Sequence, residues 1–148
     1  MAVNPIPDGY GVVTPILLVD DADALIEFMK RTFDAREYQL GRRPDGKIWH
    51  ADLTIAGAHI MITEAGGAFP AAAAAVNVYV PDVDAVYRRA LDAGAASVTP
   101  PTDRFYGDRN AVVKDRTGIV WTLATHIEDV APAELKRREA EALKQMKM

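Results

Sequence analysis

His50 and Asp52 stand two residues apart in the stretch KIWHADLTI (47–55), where Trp49, Ala51, Leu53 and Ile55 alternate with His50, Asp52 and Thr54. An imidazole beside a carboxylate is an acid–base pair that works near neutral pH, suited to abstracting a proton next to a carbonyl. Alternation of this kind fits a strand, which sends successive side chains to opposite faces. His50 and Asp52 then share a face at roughly 6–7 Å, close enough to couple electrostatically and too far for a direct hydrogen bond without rotation. A second group lies in RFYGDRN (104–110), where Tyr106 and Arg109 occupy a loop able to close over a pocket. A guanidinium there can grip a ligand carboxylate or phosphate with two prongs, or form an ion pair with Asp103, Asp108 or Asp115. With no cysteine in the chain, disulfides, thiolate catalysis and zinc–cysteine sites are excluded.

These residues need elements to position them. GVVTPILLV (11–19) reads as a strand with Pro15 at an edge or bulge. Asp20 or Asp21 caps a helix through Ala24, Leu25, Phe28, Met29 and Phe33. Strand-like runs follow at 36–41, 47–55 and 59–63, joined by turns at PDG (44–46) and AG (56–57). The order then repeats: a strand at 76–80, a helix from Pro81-Asp82 through Leu91 that stops at Gly94, and strands at 97–99, 110–114 and 119–126. VDDADA (19–24) aligns with VPDVDA (80–85), a period near 61 residues. The chain therefore reads as one α+β domain, residues 1–148. Its parts are a βαβββ module at about 10–64, a linker at 65–75 containing GG, Pro70 and five alanines, a second module at about 76–126, and a C-terminal helix at about 132–146. That last helix, with its alternating charges, is either solvated or docked on a partner subunit.

One amphipathic helix per module buries one face of its strands. The apolar parity assigns Pro15, Leu17, Val19, Ala51, Leu53, Ile55, Ile60, Ile62, Val76, Val78, Val80, Trp121 and Leu123 to that face. The other parity gathers Thr14, Ile16, Leu18, His50, Asp52, Thr54, His59, Met61, Thr63, Asn77, Tyr79, Thr122, Ala124 and His126. Apolar walls with a few polar groups suit a small-molecule pocket better than open water, though a dimer interface or a solvated face would also accommodate them. By this parity Tyr79 faces the pocket and neither tryptophan does. The candidate acid–base residues are His50 and Asp52, and the candidate ligand contacts are Thr14, Asn77, Tyr79, Tyr106, Arg109 and Thr122.

The totals narrow the partners. A net charge of −4 gives no basic footprint for nucleic acid. No apolar run nears the roughly 20 residues that span a bilayer. The N-terminus MAVNPIPDGYG lacks a basic segment followed by an apolar core, so a cytoplasmic location is the default expectation.

VTPILLVDDADALIEFMKRTFDA, PDGKIWHADLTI, YVPDVDAVYRRALDAGA and DRFYGDRNAVVKDRTGIVWTLATHIEDV with the following PAEL resemble the vicinal oxygen chelate superfamily, most closely its PhnB-like group, over about residues 9–135. That superfamily includes glyoxalase I, extradiol dioxygenases, and bleomycin and fosfomycin resistance proteins. The resemblance implies two βαβββ modules forming a cupped mixed sheet with helices on the convex face. It also implies a homodimer, which a sheet left open at its edges would favour. Its metalloenzymes ligate a divalent ion at positions that correspond here to Thr14, Ala75 and Thr122, with a fourth near Met61 or Thr63. That set is not a competent ligand group, so a metal cofactor is disfavoured. A site drawn instead from His50, Asp52, His59 and His126 is a weaker possibility. The expected function is binding or sequestering a small organic ligand in a metal-free pocket. The alternative is an enzyme of lyase, isomerase or epimerase type centred on His50 and Asp52, or a metal-dependent glyoxalase or dioxygenase.

Overall fold

The structure is a computed structural model that describes residues 2–146. It divides into two compact units, Met1–Ala74 with Asp115–Ile119, and Ala75–Lys114 with Val120–Met148. In the first unit, β1 (Ile16–Val19), α1 (Ala22–Phe33), β2 (Arg36–Arg42), β3 (Ile48–Ile55) and β4 (Ala58–Glu64) build a four-stranded sheet of order β1-β4-β3-β2. Here β1 runs parallel to β4 and the other pairs are antiparallel. The second unit repeats this plan with β5 (Ala75–Tyr79), α2 (Val83–Asp92), β6 (Ala96–Asp103), β7 (Asp108–Lys114) and β8 (Val120–His126), in the order β5-β8-β7-β6. A terminal helix, α3 (Pro132–Gln145), follows.

The repeated letters VxDxDA have a structural cause. Asp21 and Asp82 are the N-caps of α1 and α2, accepting from the amides of Ala24 and Ala85 at 3.1 and 3.2 Å. The second aspartate of each motif, Asp23 or Asp84, lies in the helix's first turn and pairs with an arginine from the sheet, Arg42 or Arg109. An acid in that turn also complements the helix dipole.

α1 packs on its sheet through Leu25 and Met29, both 0% exposed, against Leu17, Val19, Ala51, Leu53 and Ile62. Each large side chain so buried is worth about 1.5–3 kcal/mol. In the second unit Trp121, Leu123, Ala111 and Val113 are fully buried on the face that carries α2. Two assignments of the parity reading need correction. Pro15 is exposed and precedes the strand, which begins at Ile16 because proline has no amide for the ladder. Val76, Val78 and Val80 are only half-buried.

Candidate functional site

On the face of the first sheet opposite α1 lies a cavity of about 700 Å³. Ile16 and Leu18 of β1 and Thr63 and Glu64 at the end of β4 supply one side; Gln39 of β2 and Trp49 and His50 of β3 supply another. Arg43, Gly66 and Phe69 come from the turns beside them. His50 therefore stands where the alternation places it, and among the described residues its ring makes no side-chain hydrogen bond.

Trp49 does not follow the alternation. Gly41 pairs with His50 and Arg42 with Ile48, so Trp49 is the extra residue of a β-bulge. The bulge resets the parity: Ile48 turns into the core at 0% exposure, and the indole turns out to line the cavity at 67%. Re-aiming a side chain is what a bulge does to a strand. Phe69 reaches the cavity by another route. A tight turn, with reciprocal hydrogen bonds between the Gly66 and Phe69 backbones at 2.9 and 3.0 Å, brings it there, and Gly67 at its centre has φ 57°, a conformation glycine adopts freely.

Asp52 is not beside His50 in this cavity. It is 1% exposed, and both its carboxylate oxygens are taken. Oδ1 accepts from His59 Nδ1 at 2.8 Å, and Oδ2 accepts from the Tyr10 hydroxyl. Tyr10 lies flat on the His59 ring, centroids 3.7 Å apart, while Tyr38, itself the extra residue of a second bulge, meets both rings edge-on. The hydrogen bond that the Tyr10 hydroxyl donates to Asp52 pushes its pKa up to about 12, since ionising the hydroxyl would break that bond and set two anions side by side. The N-terminal segment that carries Tyr10 also walls a neighbouring cavity of about 550 Å³, where Thr14 and Met61 are found. The expected His50–Asp52 dyad is thus replaced by a Tyr10–Asp52–His59 cluster, because His59 and Tyr10 saturate the carboxylate first.

The remaining candidates lie in the second unit, and none lines the 700 Å³ cavity. Asn77, Tyr79 and Thr122 share the sheet face opposite α2. The Tyr79 hydroxyl donates to the buried Asp108 at 2.8 Å, which raises its pKa, and the same carboxylate meets His126 Nδ1 at 2.8 Å. The His126 ring also reaches Asp129 at 2.8 Å, and its pKa is raised, first by Asp129 and then by Asp108. The Tyr106 hydroxyl accepts from Asn110 Nδ2 at 2.7 Å. Arg109 needs correction. It belongs to β7, not to a loop, and shares the parity of Ala111 and Val113, the face that carries α2. Its guanidinium is held by Asp84 in two 3.0 Å bonds and by Asp103 in a third. Applying the alternation to β7 exposes this placement. Arg43, Phe69 and the outward turn of Trp49 have no comparable periodic signal.

Among the described residues no three His, Cys, Asp or Glu side chains converge to hold a metal.

The family model of the Glyoxalase/Bleomycin resistance protein/Dioxygenase superfamily matches residues 11–123. An uncharacterized protein of Mycobacterium bovis is 36% identical over 147 residues, covering 92% of this chain and 94% of its own length. TioX from Micromonospora sp. ML1 superposes with a TM-score of 0.66 at 30% identity, over 79% of this chain and 99% of its own. A fosfomycin resistance protein of Listeria monocytogenes, solved with Mn(II) and a dihydroxypropylphosphonic acid, shares the fold at TM-score 0.62 and 22% identity, over 86% of this chain and 96% of its own. The doubled βαβββ plan, the family match and the relatives agree, and the chain belongs to the glyoxalase/bleomycin resistance/dioxygenase, or vicinal oxygen chelate, superfamily.

Proposed function

We propose that this protein binds a small organic molecule in the cavity of its first unit and holds it without chemical change or a metal ion. The observation that carries the reading is the cavity itself. Its volume of about 700 Å³ suits a drug-sized molecule, and its walls of Ile16, Leu18, Trp49 and Phe69 carry only a few polar groups. The catalytic alternative lacks its expected pair: His50 lines the cavity without Asp52, which spends both oxygens on Tyr10 and His59. The resemblance to PhnB-like sequences is compatible with such a binder and leaves the ligand's scaffold open.

The test is a thermal-shift screen of small aromatic and aliphatic compounds, followed by mass analysis of each hit recovered after denaturation, with elemental analysis of the same protein. Hits that raise Tm, come back with unaltered mass, and lose their effect when Leu18→Trp fills the cavity support binding without chemistry. A ligand recovered as a product of different mass over many turnovers, with His50→Ala abolishing the conversion, overturns it. So does a stoichiometric metal ion whose removal abolishes binding.

A further inference from the structure

Arg42 closes β2 and Arg43 follows it into the turn, and the two meet opposite fates. Arg42 turns to the helix face, where Asp23 takes it in two bonds of 2.8 and 3.1 Å and the Gly46 carbonyl in a third of 2.8 Å. Arg43 turns to the cavity, half-buried. Its Nε is shut off from solvent with no hydrogen-bond partner, and among the described residues the guanidinium has no carboxylate within 4.0 Å. Glu64, the acid in the same cavity, instead accepts the Ile48 amide at 2.8 Å.

An unpaired cation on an apolar wall is costly unless an anion arrives to meet it. A guanidinium offers parallel donors spaced for the two oxygens of a carboxylate or a phosphonate. The wall beside it carries two exposed aromatic rings, Trp49 at 67% and Phe69 at 61% exposure, whose faces favour a flat ring system. Glu64, which accepts the Ile48 amide and lies outside ion-pair distance of Arg43, adds a negative charge to the same cavity, so a second charge on the ligand would meet more repulsion than a single one. Resting on the binding reading above, we infer that the cavity selects an aromatic monoacid, with its anionic group on Arg43 and its ring on Trp49 and Phe69. Arg43 is then the residue that sets ligand class, while Gln39 and His50 offer neutral hydrogen bonds to ring substituents.

The test uses the full chain and a matched pair of probes, 2-naphthoate and 2-naphthamide, which share shape and differ in charge. Trp49 reports occupancy by its fluorescence, since Trp121 is fully buried in the other unit's core; Trp49→Phe supplies the blank. A charge-assisted bond should make naphthoate bind at least about tenfold more tightly than the amide. Arg43→Gln should bring that ratio to about one by weakening naphthoate the more, and Arg43→Lys should restore part of it. A wild-type ratio near one, or a ratio that survives Arg43→Gln, overturns the charge assignment and leaves an aromatic pocket standing. If neither probe alters Trp49 emission or Tm at millimolar concentration, the binding reading falls together with it.

Discussion

Replacing Asp52 by alanine separates a catalytic role for this residue from a structural one. The carboxylate is 1% exposed and accepts from His59 Nδ1 at 2.8 Å and from the Tyr10 hydroxyl. Bonds to an ionised acceptor contribute about 1.5–3 kcal/mol each, and the two share one acceptor, so their losses do not simply add. Truncation also strands the His59 ring, whose side chain is 7% exposed, without the partner that offset its burial. Two lost bonds and the buried polar groups they strand put the loss expected for Asp52→Ala at about 3–5 kcal/mol. Against a total stability of about 5–15 kcal/mol, this is a large fraction. With a urea m-value of about 2 kcal/mol/M, the midpoint should fall by roughly 1.5–2.5 M. Urea melts followed by circular dichroism measure it, and Tyr10→Phe should give a smaller loss in the same direction. Because Asp52 does not line the 700 Å³ cavity, naphthoate affinity under folding conditions should stay within about twofold of wild type. A loss below about 1 kcal/mol at unchanged m would refute the reasoning, since a buried carboxylate that anchors both His59 and Tyr10 cannot be removed at a surface residue's cost.

Gly107 has φ 100°, and a Cβ there would stand 2.2 Å from the Glu128 carbonyl oxygen. The Ile127 and Glu128 amides both donate to the Gly107 carbonyl, and Glu128 holds Arg138 of α3 at 2.6 Å, so Gly107→Ala should loosen the whole C-terminal attachment. Its cost should exceed about 2 kcal/mol in thermal melts, with new proteolytic cleavage before α3. A protease map unchanged from wild type would argue against that attachment. The His126 pKa is raised above the ordinary 6.5 by Asp129 and Asp108. The folded state thus holds this proton more tightly, so the stabilisation is complete below pH 6.5 and fades as pH rises through the folded value. Relative to His126→Gln, wild-type stability should decline across that window. Proton NMR of the ring should titrate lower in Asp129→Asn, and an unmoved titration would show that Asp129 is not the main cause.

The element order, the two βαβββ modules, both helix caps and most of the core were legible in the sequence, because periodicity and capping act within a few residues of chain. His50 was placed in the cavity by the same alternation. What stayed hidden depends on groups far apart in sequence. Asp52 finds Tyr10 forty-two residues away, and no local pattern announces that a carboxylate two positions from a histidine will bond to a different one. Trp49 changes face through a bulge defined by its pairing with β2, so a single-strand reading could only assign it to the core. Arg42 and Arg43 are identical neighbours in sequence. Only the folded chain, by setting Asp23 against one and an apolar cavity against the other, decides which is a brace and which awaits an anion.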